Sequence, residues 1–282
     1  MRIIPRLDIK GPNLVKGIHL EGLRVLGKPE DFAELYYEQG ADELIYQDTV
    51  ASLYQRNNLT DIITKTAKDI FIPITVGGGL RKLDDINKVL RAGADKVAIN
   101  TAAINKPDFI NQASRALGSS TIVVAIEAIK QPDNSYMAYT DNGREYTGVD
   151  AILWAKEAED RGAGEILLTS IDQEGTGNGF DLELIKKVSD NVNIPVIAHG
   201  GAANEAHISE CIKNSGSDAV AIASMLHYAA LNRNDSLVGK YNEEGNTEFL
   251  KKKSSFKMFG KENLFEIKSS LKKENVSLRI LN

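Results

Sequence analysis

The sequence predicts a (β/α)8 barrel assembled from two similar half-barrels, and three observations carry that expectation. Stretches of the first half return in order about 120 residues later, a period too long for one supersecondary repeat. Gly40-Ala41-Asp42-Glu43-Leu44 returns as Gly162-Ala163-Gly164-Glu165-Ile166, and Ile72-Pro73-Ile74 ending in Gly78-Gly79 returns as Ile194-Pro195-Val196 ending in Gly200-Gly201. Val97-Ala98-Ile99-Asn100-Thr101 returns as Val220-Ala221-Ile222-Ala223-Ser224. Secondly, short β-rich apolar runs alternate with longer runs of helical pattern, and eight such strands can be placed. Thirdly, those strands are continuously apolar, which indicates parallel strands covered on both faces. A doubly wound open sheet explains neither the count nor the repeat as well.

Taken in order, the strands are Ile3–Asp8, Glu43–Asp48, Ile72–Val76 and Lys96–Asn100 in the first half. Ile122–Glu127, Glu165–Ser170, Pro195–Ala198 and Ala219–Ala223 follow in the second. Between them the helical pattern falls on Pro29–Gln39, Leu59–Lys68, Leu83–Ala92, Pro107–Ala116, Asp150–Arg161, Leu182–Asp190 and Glu205–Asn214, several ending at glycine. The 282 residues read as a single domain. A polar stretch at about 232–261, including Lys251-Lys252-Lys253, has the composition of a solvated loop. Beyond it, Leu264, Ile267 and Leu271 at helical spacing predict a final helix over Asn263–Lys273.

Composition narrows the function. A net charge of −5 argues against a nucleic-acid or membrane surface. Cys211 is the one cysteine, so no intrachain disulfide forms, and a cytoplasmic location is expected. His19, His207 and His227 lack clustered cysteine or carboxylate neighbours, so neither a metal nor a cofactor is expected.

In such barrels the reactive groups lie where strands end, on the C-terminal face. Asp8 ends the first strand and Glu127 ends its repeat-related counterpart, so the two carboxylates should face each other across the mouth. That suits paired acid/base work; the alternative is that each caps a strand or pairs with a lysine. Gly77-Gly78-Gly79 with Asn100 and Thr101 would gather backbone N–H groups and a hydroxyl where phosphate binds. Gly200 and Gly201 with Ala223, Ser224 and Gly175-Thr176-Gly177 do the same in the second half, which implies a ligand with a phosphate at each end.

Leu7-Asp8-Ile9-Lys10 with Val15-Lys16-Gly17, Thr75–Gly79, Gly93-Ala94-Asp95-Lys96-Val97, Ile99–Ala102, Val123–Ile126 and Gly162–Asp172 with Gly175-Thr176 together resemble one family closely. It is the cyclase-subunit family of imidazole glycerol phosphate synthase, a histidine-biosynthesis half-barrel group, and the resemblance covers residues 1 to about 228 and resumes near Asn263. It implies a lyase. The family takes ammonia from a glutaminase partner and cyclises a bisphosphorylated aminoimidazole ribonucleotide intermediate to imidazole glycerol phosphate, releasing the aminoimidazole carboxamide ribonucleotide. By position the resemblance makes Asp8 and Glu127 the catalytic carboxylates, puts Lys16 in a flexible loop closing over substrate, and adds Thr169 and Glu174 to the substrate-binding set. Arg2, Glu43, Lys96 and Glu165 match the charged ring through which ammonia enters, and Asp95 matches the contact to the glutaminase. A stability network at the barrel floor is the other reading of that ring.

The departures from the family pattern concentrate at the chemical centre. Glu127 and Glu174 stand where aspartate is usual, His199 where serine is expected, Arg6 in place of a cysteine, and Gly11-Pro12-Asn13 for Asp-Gly-Arg. Such a pattern also fits a paralogue supplying ammonia for amidination of an acetamido sugar in surface-polysaccharide synthesis. A sugar-phosphate isomerase of the same half-barrel group and a catalytically silent ammonia-conducting scaffold are the remaining alternatives.

Overall fold

The computed structural model describes residues 1–51, 59–234, 237 and 259–280. The first half runs β1 (Arg2–Lys10), β2 (Asn13–Ile18), β3 (Glu21–Gly27), α1 (Pro29–Glu38), β4 (Leu44–Asp48), α2 (Thr60–Asp69), β5 (Ile74–Gly77), α3 (Leu83–Arg91), β6 (Lys96–Ile99), α4 (Thr101–Asn105) and α5 (Asp108–Leu117). The second runs β7 (Ile122–Lys130), β8 (Tyr136–Thr140), β9 (Glu145–Asp150), α6 (Ala151–Asp160), β10 (Glu165–Ser170), α7 (Leu182–Ser189), β11 (Val196–His199), α8 (Glu205–Asn214), β12 (Ala219–Ile222), α9 (Ser224–Arg233) and α10 (Leu264–Lys273). β1, β4, β5, β6, β7, β10, β11 and β12 pair in parallel in that order, and β12 returns to β1, which closes the predicted barrel.

The side-chain period of two explains how continuously apolar strands build two cores. Ile4, Ile45, Val123, Leu167, Ile197 and Ala219 face the barrel interior. Their neighbours Ile3, Leu44, Val124, Ile166, Val196 and Val220 face the helices. At the barrel floor a Gly-x-Asp sequence recurs before the strands. Asp42 accepts the Ile3 N–H, Asp95 that of Ile74 and Asp218 that of Val196, each at 2.8–2.9 Å. The exposed Asp95 therefore has a structural bond of its own in addition to the partner contact expected of it.

Three features depart from the sequence reading. The segment after the first strand is not a plain loop: β1 overruns the barrel and folds back as the antiparallel β2–β3 hairpin. An equivalent hairpin, β8–β9, follows β7, so the repeat extends to it. α9 was also unforeseen, because its buried residues Met225, Leu226, His227, Ala229 and Ala230 lie all around it and no polar face marks a period. The expected final helix is present as α10, started by an Asn263–Glu266 capping box. Its buried Lys268 donates to Asp42 and to the Gly40 carbonyl, tying α10 to the barrel floor. Most of the polar stretch expected at 232–261 lies outside the described residues.

Candidate active site

β1 positions the site from floor to mouth, because Arg2, Ile4, Arg6 and Asp8 occupy alternate, inward positions along it. At the floor the four residues singled out from the sequence form a closed ring. Arg2 binds Glu43 at 2.8 Å and Glu165 at 2.5 Å, while Lys96 reaches Glu43 at 3.2 Å and Glu165 at 3.1 Å. Two cations alternate with two anions, so the ring is neutral as a unit.

At the mouth Asp8 and Glu127 are both buried, yet in opposite electrostatic states. Asp8 accepts from Arg6 Nε at 2.9 Å and from Lys16 Nζ at 2.9 Å. Burial alone would raise its pKa, but the two cations outweigh it and hold the carboxyl well below the usual range. Among the described residues Glu127 has one direct partner, the Gly143 N–H at 2.9 Å. Burial pushes it up to about 7 against the weaker pull of Arg6 and that N–H, with Asp8 adding repulsion. The repeat thus yields one fixed anion and one group poised to carry a proton near neutrality.

Lys16 lies at the centre of the covered half. The β2–β3 hairpin brings its ammonium against both Asp8 and Glu174, and it is 1% exposed. Glu174 further accepts the Leu20 N–H at 3.0 Å, and its carbonyl accepts from His19 N, so the hairpin is latched to the loop after β10. The turn Asp141-Asn142-Gly143 of the other hairpin reaches the same place: Asn142 Nδ2 donates to the Leu20 carbonyl at 3.0 Å. Asn142 was missed from sequence, although an Asn-Gly turn between two alternating runs is a hairpin signal.

The two glycine-rich cradles share one backbone design. Asn100 (φ −124°, ψ −86°) and Ala223 (φ −122°, ψ −86°) adopt the same conformation immediately before Thr101 and Ser224, each of which starts a helix. Gly78 and its counterpart Gly200 carry positive φ, and a Cβ on either would crowd a carbonyl oxygen, of Asp48 or Ser170 respectively; a Cβ on Gly201 would likewise overlap that of Gly179. The first-half cradle, with Gly79, Asn100 and Thr101, opens onto a cavity of about 280 Å³ that Glu127 also lines. The second-half cradle, with Gly175, Gly200, Gly201, Ala223 and Ser224, retains only about 10 Å³. Glu174 and His199 line this remnant.

Arg6 and Thr169 complete the interior. Arg6 Nη1 donates to Thr169 Oγ1 at 3.1 Å, across the barrel from its own strand. His199 stands beside Thr169 in register, and its Nδ1 meets the Ala221 carbonyl at 3.0 Å. Burial, then Arg6 and Lys16, drive its pKa well below the ordinary histidine value, so the ring is neutral.

A closed, duplicated (β/α)8 barrel with a charged floor and a two-carboxylate mouth defines the class. Within that class, the family model for histidine biosynthesis proteins matches residues 2–232, and the chain belongs to this family. The match ends where the polar stretch begins. The chain is 62% identical over 201 residues to the imidazole glycerol phosphate synthase subunit HisF of Legionella pneumophila, covering 71% of this chain and 95% of that protein. It is 44% identical over 254 residues to the subunit of the same name from Methanococcus maripaludis, covering 83% and 93% of the two chains. The subunit from Trichormus variabilis is 46% identical over 233 residues, covering 82% and 91%.

Proposed function

We propose that this chain is the cyclase subunit of an imidazole glycerol phosphate synthase. It would use ammonia from a glutaminase partner to cyclise a bisphosphorylated aminoimidazole ribonucleotide intermediate. The observation that carries the reading is the axial arrangement: a neutral four-charge ring at the floor, an apolar barrel interior, and Asp8 and Glu127 at the mouth. Ammonia entering through Arg2, Glu43, Lys96 and Glu165 crosses the barrel away from solvent and meets the substrate between the carboxylates. Asp8, fixed as an anion, steadies positive charge on the reacting nitrogens. Glu127, protonated in part near neutrality, supplies a proton to the leaving group. Asp95, exposed at the floor, contributes to the glutaminase contact.

One phosphate of the ligand enters the open cradle at Gly79, Asn100 and Thr101. The other competes with the Glu174 carboxylate for Lys16 and the Leu20 N–H, so binding is coupled to movement of the β2–β3 hairpin. The small cavity at the second cradle also favours a second reading, in which a smaller acceptor with one anionic end takes the ammonia, as in amidination of an acetamido sugar.

Turnover of the bisphosphorylated intermediate with an ammonium salt tests the proposal. Formation of imidazole glycerol phosphate, abolished by Asp8→Asn, is the expected result. A folded chain that binds the intermediate without turnover sinks the cyclase reading in favour of the second.

A further inference from the structure

Toward the carboxylate mouth of the barrel, Arg6 and His199 each carry a buried polar atom without a partner among the described residues. Arg6 is 1% exposed; Asp8 takes its Nε and Thr169 its Nη1, while Nη2 has no partner among the described residues. His199 is 3% exposed and sits beside Thr169 in register. A carbonyl oxygen only accepts, so the contact with Ala221 places the proton of the neutral ring on Nδ1 and leaves Nε2 a bare acceptor. Nε2 is also buried and without a partner among the described residues. A buried donor and a buried acceptor, both unmet above an apolar layer, are costly unless a small polar molecule joins them.

We propose that Arg6 Nη2 and His199 Nε2 form a receiving site for neutral ammonia at the inner end of the barrel, Arg6 donating to its lone pair and His199 accepting one of its N–H groups. The site rests on the ammonia-delivery reading above and assigns His199 to ammonia, not to phosphate. An ammonium ion has no lone pair for the guanidinium and shares its charge, so the site passes NH3 and turns NH4⁺ back. No proton changes hands in this step.

Imidazole ¹⁵N resonances of the intact chain, titrated with ammonium chloride at several pH values, test the site directly. Asp8, Lys16, Glu127 and Glu174 face the pair, so each point is set against sodium chloride at the same pH. The expected result is a His199 Nε2 shift that follows the concentration of NH3 and is lost in Arg6→Met. No shift, or one that follows total ammonium, overturns the proposal. In the complex with the glutaminase, Arg6→Met is expected to lower glutamine-driven turnover about tenfold relative to ammonium-driven turnover, a ratio in which effects on the cyclisation chemistry cancel. An unchanged ratio counts against the site. A wild-type chain inactive with ammonium sinks the functional reading instead, whereas an active one without the NH3-dependent shift sinks this site alone.

Discussion

Glu127 is the residue whose behaviour is set most strongly by its surroundings. With its pKa at about 7 and the proton-donating role proposed for it, activity at constant free ammonia should fall as pH rises through that value. Glu127→Gln should lower turnover by about 10²–10⁴-fold, the range for loss of a positioned acid. The same shift has a sign for stability. A raised folded pKa means that stability is full below the unfolded value of 4.5 and is lost as pH rises through about 7. Glu127→Gln should therefore raise the thermal midpoint by roughly 5–10 °C at pH 8 and leave it unchanged at pH 4, a comparison that calorimetry makes. Lys16 behaves differently because it compensates two buried carboxylates. Lys16→Met leaves Asp8 and Glu174 facing each other, and chemical denaturation should show a loss of about 3–5 kcal/mol. The identities of these residues could be read from sequence, but the states of Asp8 and Glu127 could not. An aspartate and a glutamate at matching strand ends look alike until Arg6 and Lys16 are found on one of them.

At the scale of elements, the backbone repeat persists more faithfully than the side chains it carries. Asn100 and Ala223 keep one conformation while their side chains differ, because the turn into the next helix constrains the backbone at both places. The glycines of the cradles are held by the same geometry. Gly201→Ala combines a positive φ of 101° with overlap of the Gly179 carbonyl, and should cost about 1–3 kcal/mol in an unfolding titration. Strands and most helices were legible in sequence because burial on both faces or on one face leaves a period in the pattern. The hairpin strands β2–β3 and α9 were not. In the hairpin, burial comes from contacts such as Leu20 with Asn142 and Lys16 with Glu174, partners distant along the chain. α9 is buried all round and carries no period to read.

For the whole molecule, the barrel separates a charged floor from a reactive mouth by its full height, and the proposed partnership lies at the floor. Asp95 tests it cleanly only if its bond to Ile74 survives. Asp95→Asn keeps an accepting oxygen there while removing the charge, so it should weaken glutaminase binding several-fold in a titration without moving the thermal midpoint. Unchanged affinity would remove Asp95 from the interface. The sequence alone determined the duplicated barrel, the pairing of Asp8 with Glu127 at matching strand ends and the cradle glycines, since each leaves a mark at a fixed interval along the chain, while its likeness to the family singled out the four residues of the floor ring. Only the tertiary structure decided that the halves differ in state, one cradle opening onto a cavity of about 280 Å³ and the other onto one of about 10 Å³ lined by Glu174 and His199, with Asp8 held as an anion and Glu127 free to titrate. Those outcomes depend on burial and on charges brought together from strands far apart in sequence, and no local pattern records them.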